Sequence, residues 1–207
     1  MKLLCIDVGS SAIKSAVLAK GKVSGHIARV AFPTRCEGTH VEVDGREILR
    51  ALGRATQELG AAVRGVDCIS LSVMSPAWVA MDRNGRPLTP IVTHQDRRSV
   101  DVALELEQRV GKARHIKLAG NRPFPGGVSS TTYAWFNQNA RAVMKKADLV
   151  GHLNTFLHRH LTHSRVIDPS NACFMGLHNW RTLDTWNDEL IDAVEASEHC
   201  LPQIIAA

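Results

Sequence analysis

Residues 2–8, 12–19 and 22–30 are short apolar or alternating runs, broken by Gly9-Ser10-Ser11 and by Gly21-Lys22. Alternation on a period of two, with turn residues between the runs, predicts three consecutive antiparallel strands. Residues 33–45 are polar, carry Pro33, Gly38 and Gly45, and are expected to form a loop. Ile48, Leu49, Leu52, Ala55, Leu59 and Val63 then recur at helical spacing over 46–63, with Gly65 just past the end. Strand patterns follow at 67–73 and 77–82, and Asp82-Arg83-Asn84-Gly85 is a turn sequence. Val100, Ala103, Leu104, Leu106 and Val110 make the apolar side of a second amphipathic helix at 98–110. After the Gly/Pro-rich stretch 120–127, Ser129 or Ser130 is placed to cap a helix reaching about Gln138. Further helices are expected at 140–147, 150–161 and 185–196. Strands and helices in this order predict an α/β domain.

Composition narrows the picture. The 207 residues are 44% hydrophobic and 22% charged, a globular balance, and fit one generous domain or two small ones. No apolar run approaches the ~18 residues of a membrane helix, and Asp7 and Gly9 interrupt the N-terminus too early for a leader core. The five cysteines show no CxxC spacing, so neither a disulfide framework nor a zinc knuckle is expected, and a reducing cytoplasm fits. The net charge of +5 suits an anionic ligand, but it is spread along the chain and aromatics are only 5%, which argues against nucleic acid. His158, His160 and His163 do not share one helical face, so no metal site is expected there.

Three segments carry candidate chemistry. In Asp7-Val8-Gly9-Ser10-Ser11 a carboxylate ends a buried strand and the chain turns on glycine and two hydroxyl residues. Amides in such a turn point at phosphate oxygens, and the carboxylate suits a hydrated Mg²⁺; a plain hairpin turn is the simpler reading. His94-Gln95-Asp96-Arg97-Arg98 follows a strand-like run and opens a helix. Asp96 is either a helix cap or a polyol-binding residue at a strand end. Asp168-Pro169-Ser170-Asn171-Ala172 is a strong turn sequence, in which Asp168 is either a turn residue or a general base for phosphoryl transfer.

Together and in this order, these segments resemble the N-terminal domain of the FGGY carbohydrate kinases. Ile6-Asp7-Val8-Gly9-Ser10-Ser11 with Lys14 is similar to the family's opening phosphate motif, with Ser10 in place of the usual threonine. Asp82-x-x-Gly85-x-Pro87-Leu88 and Gln95-Asp96-Arg97-Arg98 resemble its next stretch, and His94 or its neighbour stands where tryptophan is common. Ile167-Asp168-Pro169-Ser170-Asn171-Ala172, with Gly176-Leu177 and Trp186-Asn187, resembles its catalytic-aspartate segment.

The resemblance implies an actin-like ATPase (ribonuclease H-like) α/β fold, a mixed sheet flanked by helices. It implies MgATP-dependent phosphorylation of a sugar or polyol hydroxyl, with ATP and Mg²⁺ as cofactors. Asp168 would be the base. Asp7 would organise Mg²⁺ through water, and Gly9, Ser10, Ser11 and Lys14 would lie near the transferred phosphate. Met74, Ser75, Asp96 and Asp168 would touch the substrate, and Asp7 and Asp168 would line one cleft. Residues 1–207 then read as the sugar-binding N-terminal domain, ending at Leu201–Ala207 before the ATP-binding domain. The implied partners are a small sugar or polyol and either a separate ATP-binding half or a second copy of the chain. The alternative is a non-catalytic sugar-binding or regulatory remnant of such a kinase.

Overall fold

The computed structural model describes residues 1–205, so Ala206 and Ala207, the end of the Leu201–Ala207 segment, lie outside the described residues. In chain order the elements are β1 (Lys2–Val8), β2 (Ala12–Ala19), β3 (Lys22–Ala31), β4 (Arg35–Glu37), β5 (His40–Val43), α1 (Gly45–Glu58), β6 (Cys68–Val73), β7 (Ala77–Met81) and β8 (Ile91–Thr93). They continue as α2 (Val100–Val110), α3 (Lys112–Ala119), α4 (Ser129–Asn139), α5 (Arg141–Met144), β9 (Leu149–His152), α6 (Leu153–Thr162), β10 (Val166–Ile167), α7 (Pro169–Met175), α8 (Asp188–Ala193) and β11 (Gln203–Ile204). The chain divides into two compact units. Unit 1 takes residues 1–35 and 43–74, and unit 2 takes 36–42 and 75 onward.

Unit 1 is a four-stranded sheet in the order β3-β2-β1-β6. β1 and β3 run antiparallel to β2, and β6 runs parallel to β1, so the sheet is mixed. The register sets Leu4 opposite Val17, Ile6 opposite Ser15 and Val8 opposite Ile13. Alternation then sends Leu4, Ile6, Val8, Ile13 and Val17 to one buried face. α1 lays Ile48, Leu52 and Ala55 into the core, and the Ser15 hydroxyl donates to the Ala55 carbonyl at 2.9 Å. Ile48 is fully buried, which is worth about 1.5–3 kcal/mol against exposure. Asp44 caps α1 by accepting from the Arg46 amide at 2.8 Å. The helix stops at Leu59, short of the residue 63 expected, because Gly60 takes φ +56°, and a 3₁₀ turn covers Gly60–Val63.

Unit 2 holds a five-stranded sheet in the order β4-β5-β8-β7-β9 and a β10-β11 pair. Residues 33–45, expected as a loop, supply β4 and β5, since Gly38 at φ +58° turns the chain and Val41 and Val43 alternate with polar neighbours. Leu149–His152, expected as the start of a helix, is strand β9. All four residues are buried, so the run shows no alternation to separate it from α6. The core centres on Trp78, which stacks on Phe136 at 5.0 Å and meets Tyr133 edge-on at 5.9 Å. Burial pushes the Tyr133 phenol up to about 12.

Candidate functional site

In unit 1, Asp7 closes β1 and Gly9, Ser10 and Ser11 form the β1–β2 turn. The Gly9 amide donates to the Ala12 carbonyl at 3.0 Å, which tightens that turn. The ladder resumes only at Val8–Ile13, so the Ser10 and Ser11 amides lie outside it, and both residues are exposed. Phe32 and Thr34 pin the turn from β3's far end, donating to the carbonyls of Ser11 and Ser10 at 3.1 and 3.0 Å. Register places Lys14 opposite Asp7, with Nζ 3.7 Å from the carboxylate and both side chains about half exposed. A solvated carboxylate beside an exposed amide turn would suit a hydrated Mg²⁺ and an anion. Among the described residues no cluster of three or more His, Cys, Asp or Glu side chains forms an all-protein metal site. Met74 lies just past β6, half-buried, its amide donating to the Val8 carbonyl at 2.7 Å.

In unit 2, Asp96 neither caps α2 nor faces an open cleft. α2 begins at Val100 behind Ser99, and Asp96 is only 1% exposed. Its carboxylate accepts from the Val41 amide at 2.7 Å, from the Arg98 amide at 2.9 Å and from the Arg98 guanidinium at 2.8–3.0 Å. Arg98 also reaches Glu42 at 2.8 Å and lies over Trp135 at 5.3 Å. Burial acts to lower the Arg98 pKa, but the hydrogen bonds and charges of Asp96 and Glu42 outweigh it and hold the guanidinium above its ordinary value. Asp96 therefore ties β5 to the 94–98 turn.

Asp168 is the N-cap of α7, with Pro169 in the first turn, so the expected turn opens a helix. One oxygen accepts from the Asn171 amide at 2.9 Å; the other accepts the side-chain amides of Asn154 at 2.7 Å and Asn171 at 2.8 Å. Asn171 extends this into a buried chain, His152 Nδ1 lying 3.2 Å from its Oδ1 and His152 Nε2 lying 2.8 Å from Ser129 Oγ. Burial drives the His152 pKa down to about 4.

Ser75 opens unit 2 just before β7. Its hydroxyl oxygen is buried without a partner among the described residues, as are His94 Nδ1 and Asn154 Oδ1. β8 and β9 flank β7, with Ala77 opposite Thr93 and Trp78 opposite His152. Ser75, His94 and Asn154 thus lie within two residues of the same end of three adjacent strands. Asn154 escaped the sequence reading; the signal was an amide inside the apolar run Leu149–Leu157.

The N-terminal-domain model of the FGGY family of carbohydrate kinases matches residues 2–207. The chain belongs to this family. Glycerol kinase of Thermococcus kodakarensis is 26% identical over 98% of the chain, and gluconokinase of Bacillus subtilis is 24% identical over 98%. The chain spans 42% of the length of each of these two relatives. The crystal structure of Plasmodium falciparum glycerol kinase with ADP superposes with a TM-score of 0.91 at 21% identity, covering 98% of this chain and 42% of that one. The fold is therefore that of the FGGY kinases, the actin-like ATPase fold with a mixed sheet and flanking helices. In this FGGY chain the opening Asp-x-Gly-Ser-Ser segment is the β1–β2 turn, the Gln-Asp-Arg-Arg segment the buried ion cluster, and the Asp-Pro-Ser-Asn segment the α7 cap.

Proposed function

We propose that this chain is the acceptor-binding half of an ATP-dependent carbohydrate kinase, acting on a sugar or polyol hydroxyl with ATP and Mg²⁺. The observation that carries the reading is the β1–β2 turn, where the exposed Asp7 carboxylate stands beside amides that no strand claims. Asp7 would hold Mg²⁺ through water, and Gly9, Ser10, Ser11 and Lys14 would receive phosphate oxygens, Lys14 exchanging Asp7 for the more highly charged anion. Met74, Ser75, Asp96 and Asp168 would contact the acceptor, as the family resemblance implies. Asp168 would accept the hydroxyl proton at its one remaining lone-pair site, on the oxygen that takes only the Asn171 backbone amide.

That engaged carboxylate also favours a second reading, in which the chain binds sugar without catalysing transfer. Coupled ADP release over a panel of sugars and polyols separates the two, using the chain alone and with an added ATP-binding half. Acceptor-dependent turnover that Asp7→Ala abolishes supports the kinase; binding without turnover in either arrangement leaves the binding module. Turnover by the chain alone would place an ATP site within these 207 residues.

A further inference from the structure

We propose that the hollow between α4, α5 and the 195–200 segment binds the phosphoryl group of a small phosphate ester. The hollow measures about 200 Å³ and is built wholly from residues of unit 2. Tyr133, Met144 and Cys200 are its buried lining, and Arg141, Lys145 and Glu195 its exposed charged lining.

Three of these side chains hold donors that the fold leaves unspent. Tyr133 is 3% exposed, and the one hydrogen bond at its phenolic oxygen among the described residues is accepted, from the Ser197 amide at 3.4 Å. Burial pushes the phenol up to about 12, so the proton stays on the oxygen and finds no acceptor there. Neither Arg141 nor Lys145 has an ion-pair partner among the described residues. They stand four positions apart on α5 and its cap, a spacing at which like charges repel. A buried donor without an acceptor, beside two adjacent cations without an acid, is the complement of an oxyanion.

The number of donors selects the anion. A carboxylate is planar and offers two oxygens, whereas a phosphate monoester offers three, one each for the guanidinium fork, the ammonium and the phenol. The Tyr133 ring, Met144 and the Cys200 thiol are left for the organic part of the ester. Burial pushes that thiol up, and it donates to the Ala147 carbonyl at 3.3 Å. Glu195 opposes an anion, one carboxylate against two cations. An adjoining hollow of about 150 Å³ shares Arg141 and Glu195, but its other charges are engaged. Glu105 accepts from Gln138 Nε2 at 3.0 Å, and Arg109 Nη1 donates to the Ala193 carbonyl at 2.7 Å.

The test is an NMR titration of the chain with phenyl phosphate and, separately, with benzoate, its planar counterpart. Phenyl phosphate is expected to move the Ser197 amide and Tyr133 ring signals and to bind about tenfold more tightly than benzoate. Arg141→Gln, at an exposed position that leaves the fold intact, should weaken it about tenfold. Tyr133→Phe should weaken it several-fold, and Glu195→Gln should tighten it. Benzoate binding as tightly as phenyl phosphate overturns the proposal, as does Glu195→Gln weakening the complex. Binding that Arg141→Gln weakens but a folded Tyr133→Phe leaves unchanged also overturns it, reducing the site to surface charge. Shifts confined to Gly9, Ser10 and Ser11 would overturn it and leave the kinase reading standing, and no binding of either compound would overturn it too.

Discussion

Asn171 stands between His152 and Asp168, 3.2 Å from the imidazole by its Oδ1 and 2.8 Å from the carboxylate by its Nδ2. The carboxylate settles which end of the amide is which, and the amide then settles the histidine. His152 carries its proton on Nδ1, and Nε2 accepts from the Ser129 hydroxyl.

His152 should therefore appear by ¹⁵N NMR as the neutral Nδ1–H tautomer down to about pH 4. Its folded pKa lies below the unfolded 6.5, so the unfolded chain binds the proton first as pH falls. The contribution to stability is fully present above about pH 6.5 and is lost as pH falls towards 4, amounting to about 3 kcal/mol. Urea unfolding between pH 7 and 4 measures it. A His152 resonance titrating near 6.5 would sink the argument.

Asp168→Ala removes a helix cap and strands two amide side chains, and should cost about 2 kcal/mol. Asp168→Asn should also destabilise, because it turns a donor towards the Asn154 and Asn171 amides. Equal denaturation midpoints for Asp168→Asn and the parent would show that the three bonds do not hold in solution.

Arg98→Met leaves Asp96 and Glu42 without their cation in a site where the Asp96 side chain is 2% exposed. Breaking a buried pair from one side costs about 3–5 kcal/mol, so this variant should unfold at markedly lower urea or fail to fold. Asp7→Ala should move stability by less than about 1 kcal/mol, since its pair with Lys14 is solvated, while abolishing any MgATP-dependent turnover. A large stability loss in Asp7→Ala would mean that the residue is structural.

Gly126→Ala should disturb the 94–97 turn. An added Cβ would come within 2.3 Å of the His94 carbonyl and 2.5 Å of the Asp96 carbonyl, at φ +73°. Left-handed strain alone costs about 1–3 kcal/mol. A lowered denaturation midpoint is the expected consequence; an unchanged midpoint would show that the turn yields to the added methyl group without cost.

β1 and helices α1 and α2 were legible in the sequence because each buries one face and leaves the other open, which leaves a period to read, whereas α4, buried along most of its length, was legible only from Ser129 and Ser130 at its start. The Asp7–Ser11 turn was legible for the same reason, lying between two alternating runs. β9 was not, since burial on both faces erases alternation, and β4 and β5 were too short and polar to stand out. The full hydrogen-bond environment of Asp96 and Asp168 was set only in three dimensions. A carboxylate in sequence is equally an acid–base group, a cap or an ion-pair partner; which one it becomes depends on the donors that folding brings to its oxygens. Beside the local donors Arg98 and Asn171, Asp96 takes one from Val41, 55 positions away, and Asp168 one from Asn154, 14 positions away. No local pattern encodes the distant pair, Val41 and Asn154, because they meet their carboxylates only when the strands and helices carrying them pack.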